Sequence, residues 1–255
     1  MAERGPGRGT QAPAFTAAAG ALLVGALLAV IILVNRANSS PTASATPSPL
    51  ALTTASPAVS PSPGASATAA VTTIPFASCA AASFGPALAP AGEPANPHAY
   101  PAPPPMSIDT TKLYEATVTT ARGTIVLCLQ PDLAPATVNN FVTLARNHFY
   151  DGLTFHRVVA GFVVQGGDPK GDGSGGPGYK FNDEPVREQY VQGAVAMANS
   201  GVNTNGSQFF ICIADDTTKL HPLYNLFGRV ASGLEVALAT QQGDVMSRVT
   251  VAEQR

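Results

Sequence analysis

The chain has 255 residues, with 14 Lys+Arg against 16 Asp+Glu and only 12% charged residues, about half the usual ~25% of a soluble domain. Its 24 Gly and 23 Pro require much turn, loop or extended chain, and the length suits one domain of ordinary size or two small ones. The formal net charge is −2, and residues 107–255 carry 11 basic and 14 acidic side chains, which excludes a basic nucleic-acid reader working by counterion release.

Residues 1–14 precede an apolar run, Phe15 to Val34, of 20 uncharged residues. At 1.5 Å per residue the run spans about 30 Å, enough to cross a hydrocarbon core. It exceeds the roughly 7–15 apolar residues of a signal peptide, and Asn35-Arg36 follows with no small-x-small site beside it. The pattern predicts an uncleaved transmembrane helix over 15–34. Arg4 and Arg8 before the span, against Arg36 after it, predict a cytoplasmic N-terminus and a single-pass cell-membrane protein with its bulk outside.

From Ala37 to Gly92 no residue is charged, and Ala, Ser, Thr and Pro dominate. Without apolar periodicity such a stretch cannot bury enough surface to offset its ordering entropy. Residues 35–106 therefore read as a disordered tether, stiffened by Pro through Pro103-Pro104-Pro105.

Residues 107–255 have a different character. Tyr114–Thr120 and Thr124–Leu129 are strand-like, with Arg122-Gly123 as the turn between them. Asp132 and Pro135 start a helix whose stripe is Val138, Phe141, Val142 and Ala145. Strand-like runs follow at 155–159, 162–165, 194–198, 208–213, 226–230 and 245–251, with a short helix over Leu234–Thr240. Many short strands and few helices predict a mainly β domain, an antiparallel barrel or sandwich.

Few local motifs carry chemistry. Gly171–Gly176 matches G-x-G-x-x-G, but Pro177 and strand-like residues follow where a phosphate-binding helix would have to open, so it reads as a flexible glycine loop. His98, His148, His156 and His221 form no ligand pair, which leaves no metal site. Asn38 and Asn205 fit the glycosylation sequon. Cys79, Cys128 and Cys212 are too few and scattered for a disulfide scaffold or a zinc site; Cys128 and Cys212 read as small buried hydrophobes in strands. In Phe155–Asp168, strict alternation would place Phe155, Arg157 and Val159 on one face. An arginine among apolar residues is either part of a structural ion pair or a charge kept for a ligand. In Met197–Cys212 an Asn/Gly/Ser loop feeds an aromatic strand.

These two segments, FHRVVAGFVVQGGD and NTNGSQFFI, with the later Leu226–Val230, resemble the cyclophilin family of peptidyl-prolyl cis–trans isomerases over roughly 114–251. The resemblance implies a closed eight-stranded antiparallel barrel capped by two helices. It implies that Arg157 is catalytic, with Gln165 orienting it and Phe162, Val163, Phe210 and Leu220 flooring a proline pocket. Ala198, Asn199, Ser200 and Gln208 would line the groove for the peptide backbone, with Asn199 hydrogen-bonding it, and Tyr224 falls where many relatives have His. Lys219 or Thr218 falls where many carry a Trp that contacts the drug cyclosporin. The implied function is rotation about X–Pro bonds of proline-containing polypeptides by a monomeric catalytic domain, assisting extracytoplasmic folding without a cofactor. The competing function is a proline-peptide-binding module or chaperone with little turnover, and joint retention of Arg157, Phe162, Gln165, Asn199 and Phe210 favours catalysis.

Overall fold

The computed structural model describes residues 73–92 and 96–255. The expected span at 15–34 and the first part of the tether lie outside these residues. Among the described residues no helix is long and apolar enough to cross a membrane.

Among the described residues nine strands form one sheet: β1 (Phe84–Ala87), β2 (Tyr114–Thr120), β3 (Gly123–Leu129), β4 (Arg157–Val158), β5 (Val163–Gly166), β6 (Ala194–Met197), β7 (Phe209–Cys212), β8 (Leu226–Ser232) and β9 (Met246–Gln254). Among the same residues two α-helices accompany it, α1 (Pro135–Arg146) and α2 (Leu234–Ala239), with one 3-10 turn at Cys79–Ala81. The order is β1-β9-β2-β3-β8-β6-β7-β5-β4, and every pairing is antiparallel. The expected closed eight-stranded barrel is corrected on two points: there are nine strands, and the sheet is not closed. The added strand, β1, lies on the outer edge of β9. Pro86 can sit there because an edge strand need not donate every N–H. At the opposite edge β4 is only two residues long. Short hydrogen bonds, not a ladder, bring this side toward the start of β9: Gly152 N to Met246 O and Met246 N to Leu153 O, both 2.8 Å, and Phe155 N to Asp244 O at 2.9 Å.

The main core lies on one face of the sheet. Alternation along β2 buries Tyr114, Ala116 and Val118, and the helical stripe of α1 buries Val138, Phe141, Val142 and Ala145 against the same core. Phe141 stacks on Tyr150 with ring centroids 4.8 Å apart. Full burial of such a side chain is worth roughly 1.5–3 kcal/mol. Asp132 does not cap α1. The Glu184 carboxylate accepts from Ala136 N at 2.9 Å and from Thr137 N at 2.8 Å, which puts negative charge on the helix N-terminus.

The tether also departs from expectation where it is described. Residues 73–92 and 96–106 lie against the domain rather than apart from it. Cys128 lies buried in β3 as expected, and it forms a disulfide with Cys79 of this segment (Cα–Cα 5.6 Å). The Gln130 side chain accepts from Ala77 N at 2.6 Å and donates to Pro75 O at 3.0 Å. Asn139 of α1 donates to Pro105 O at 3.1 Å, and Asn147 beyond its end accepts from Ala91 N at 2.7 Å. Buried amide side chains thus satisfy the backbone of a segment that has too few apolar residues to pack alone. Cys212 is free and buried as expected, and burial pushes its thiol pKa far up, which keeps it unreactive. Asn205 is fully buried, with its amide donating to Asp183 Oδ1 at 2.7 Å, so the folded domain cannot present that sequon.

Candidate functional site

The far side of the β5–β7–β6 region carries a second apolar cluster. Strands β5, β6 and β7 read VVQG, AVAM and FFIC, nearly continuous apolar runs because both faces are covered. Val164, Val195 and Ile211 face the main core. Their neighbours Val163, Ala194, Ala196, Phe210 and Cys212 belong to the second cluster, against which Phe162, Ala198, Leu220 and Tyr224 pack half-buried. Six residues expected to grip a proline or its flanking chain (Phe162, Val163, Ala198, Phe210, Leu220, Tyr224) therefore meet on one surface. Phe210 and Tyr224 make an edge-to-face contact with centroids 5.5 Å apart. Tyr190, which sequence reasoning missed, buttresses it by donating through its hydroxyl to Tyr224 O at 2.7 Å.

Sheet register sets the polar edge of this surface. Arg157 is the Cα partner of Gln165, Gln165 of Phe210, and Phe210 of Ala196. Directly opposed residues point to the same face, so the row places a guanidinium and an amide beside the apolar floor. Arg157 Cζ lies 5.8 Å from the Phe162 ring centroid, and its Nη1 donates to Gln165 Oε1 at 3.4 Å. Among the described residues Arg157 forms no ion pair with a carboxylate. The expected shared face of Phe155, Arg157 and Val159 is corrected: Phe155 is in the main core, whereas Arg157 is exposed. The chain leaves strict alternation before the two-residue β4, so Arg157 takes its face from pairing with Gln165 and not from alternation with Phe155.

Gln165, Ala198, Asn199, Ser200 and Gln208 line an adjoining cavity of about 200 Å³ together with the glycine loop, Lys180 and Thr204. Asn199 donates through Nδ2 to Leu223 O at 2.8 Å and accepts at Oδ1 from Gly201 N at 3.3 Å. Its amide thus ties two loops of the rim. Ser200 N donates to the Thr204 hydroxyl at 2.9 Å. Lys219, not the exposed Thr218, reaches the apolar surface: its Nζ lies 5.7 Å from the Phe162 centroid, donates to Gly161 O at 2.7 Å and pairs with buried Asp216 at 2.8 Å. Among the described residues no cluster of His, Cys, Asp or Glu could hold a metal ion.

His156, which precedes Arg157 in the chain, has both ring nitrogens buried and, among the described residues, without a well-formed hydrogen bond. Burial lowers its pKa; Asp168 opposes this, and the Arg157 guanidinium adds to it. The unfolded chain then binds a proton that the native state resists, so stability is lost as pH falls below the ordinary value of 6.5. Chemical denaturation at pH 7.5 and 5.5 is expected to show a drop that His156→Gln reduces. An equal drop in both proteins would contradict this assignment.

A family model described as cyclophilin type peptidyl-prolyl cis-trans isomerase matches residues 115–254. The peptidyl-prolyl cis-trans isomerase B of Bacillus subtilis is 50% identical over 125 residues, 48% of this chain and 87% of that relative. A peptidyl-prolyl cis-trans isomerase of Helicobacter pylori is 43% identical over 145 residues, 55% of this chain and 88% of the relative. Among solved structures, a cyclophilin type peptidyl-prolyl cis-trans isomerase of Cryptosporidium parvum aligns with TM-score 0.51 and 28% identity, covering 55% of this chain and 97% of that one. A second structure of it, solved in the presence of the dipeptide Ala-Pro, aligns with TM-score 0.50.

Proposed function

Since the chain belongs to the cyclophilin-type peptidyl-prolyl cis-trans isomerase family, we propose that it isomerises X–Pro bonds of polypeptides outside the cytoplasm, held to the cell membrane by residues 15–34. The observation that carries the catalytic part is the Arg157 guanidinium beside the apolar Phe162–Phe210 surface, without a carboxylate partner among the described residues.

Amide resonance makes the X–Pro bond partly double, with a rotation barrier near ~20 kcal/mol. Lowering it needs no nucleophile. The apolar cluster holds the proline ring, and the cavity beside Asn199 and Gln208 takes the adjoining backbone. Arg157 donates to the prolyl carbonyl, and to the amide nitrogen as that atom pyramidalises and gains a lone pair. Both contacts favour the twisted state over the planar one. A barrier lowered by ~7 kcal/mol corresponds to about 10⁵-fold in rate.

The extracytoplasmic placement is supported by the apolar run, by the flanking arginines, and by the Cys79–Cys128 disulfide, a bond that persists in oxidising compartments. Protease added to intact cells, after outer-membrane permeabilisation where one exists, is expected to release the catalytic domain. Labelling of Lys112 or Lys180 by a reagent confined to the cytoplasm would overturn the placement.

Lys219 gives a second expectation. An ammonium held over Phe162 by Gly161 O and Asp216 stands where the resemblance implies the apolar indole that contacts cyclosporin. Cyclosporin is therefore expected to inhibit weakly, and Lys219→Trp to lower the inhibitory concentration at least tenfold; tight inhibition of the parent protein would refute this.

A further inference from the structure

The glycine loop Gly171–Gly176, after which no helix opens, reaches the catalytic arginine through a chain of hydrogen bonds. It is built on Asp168, 1% exposed. Asp168 Oδ1 accepts from Lys170 N at 2.8 Å and Oδ2 from Gly173 N at 2.6 Å. The loop wraps so closely that a Cβ on Gly175 would overlap Asp168 Oδ1, and Gly173 takes a φ of +89°. Folded this way, the loop aims two carbonyls at one side chain: Gln208 Nε2 donates to Gly173 O and to Gly175 O, each at 2.9 Å.

Those carbonyls fix a polarity. A backbone oxygen only accepts, so Gln208 must turn its NH₂ toward the loop and its oxygen away. Gln208 Oε1 then accepts from Gln165 Nε2 at 2.9 Å, which leaves Gln165 Oε1 as the atom facing Arg157 Nη1 at 3.4 Å. Without the loop carbonyls both amides could flip, and Gln165 would present NH₂ to a guanidinium that can only donate.

We propose that Asp168 is a positioning residue: by folding the glycine loop it sets the direction of the Gln208–Gln165 amide chain and so orients the Arg157 guanidinium. The proposal rests on Arg157 being the catalytic donor, as assigned above. Asp168 does not touch the substrate, and the apolar floor that binds proline does not depend on it. Its loss should therefore show in turnover rather than in substrate binding.

The test is a double-mutant cycle on the full chain, reading kcat and KM for an X–Pro peptide. Asp168→Asn keeps the shape but turns an NH₂ toward a backbone N–H that donates. It is expected to lower kcat about tenfold with KM within about twofold. In an Arg157→Ala background the same substitution is expected to change the residual rate by less than about twofold. Gly175→Ala, which disturbs the same loop from its other side, should behave alike, and it replaces Asp168→Asn if that variant does not fold. The same loss of kcat with and without Arg157, or a loss confined to KM, would overturn the proposal. A parent protein whose turnover is untouched by Arg157→Ala would instead overturn the assignment of Arg157.

Discussion

Arg157→Ala is expected to lower kcat/KM for an X–Pro peptide by on the order of 10²-fold, the scale of removing one donor aimed at developing transition-state charge. The side chain is exposed and has no carboxylate partner among the described residues. Its removal leaves no buried charge unpaired, and exposed substitutions of this kind usually change stability by less than about 0.5 kcal/mol. The lost contact with the Phe162 ring adds about 0.5–1 kcal/mol at an exposed site. Activity and stability should thus separate. Arg157→Lys keeps the charge but loses the planar, delocalised donor set, so it should recover only part of the rate. Steady-state kinetics with a thermal melt on each variant checks this. Parent-level turnover in Arg157→Ala would refute the mechanism, and a melt lowered as far as the activity would assign Arg157 a structural role.

Cys79→Ser is expected to produce the largest loss of stability. The bond joins residues 49 apart, and the chain-entropy account assigns a loop of that length about 4 kcal/mol. For a domain of this size that lowers the thermal midpoint by on the order of 10 °C. The disulfide also anchors the arm that sets Ile74 and Phe76 against the second apolar cluster, with Arg229 stacked 5.4 Å from the Phe76 centroid. Limited proteolysis should therefore cut the mutant within residues 73–83, where the parent protein resists. Reductant should reproduce the shift in the parent protein and add nothing in Cys79→Ser. A parent midpoint indifferent to reductant would show that the bond does not contribute.

Elements whose cause is local were legible from the residues. The period-2 burial along β2 and the helical stripe of α1 are written in contiguous residues, and both lie where the pattern puts them. The apolar site residues were legible through family resemblance, and they meet in one cluster. What escaped has causes distant in sequence. The strand β1 reads FGPA, with no β-branched residue, and exists because β9 offers it an edge. The α1 cap comes from Glu184, 48 residues beyond Ala136. Cys79 and Cys128 carry no spacing signal, and only the fold brings them together. The glycine loop matches a nucleotide pattern by composition, yet its use lies in the direction of two carbonyls, which no residue identity encodes. Lys219 contacts Phe162 because the turn at Asp216 folds it back over the ring.

The central claim is that the surface formed by Arg157, Phe162, Gln165 and Phe210 turns over X–Pro bonds rather than only binding them. Its most direct test is the cis-to-trans relaxation of a short X–Pro peptide, followed by protease coupling or NMR exchange, with increasing amounts of the full chain and neither metal nor nucleotide added. The relaxation rate should rise linearly with protein concentration, well above that of the uncatalysed relaxation, which takes roughly tens to hundreds of seconds. Saturable binding of the peptide with an unchanged relaxation rate would contradict the account and leave a proline-binding module in its place.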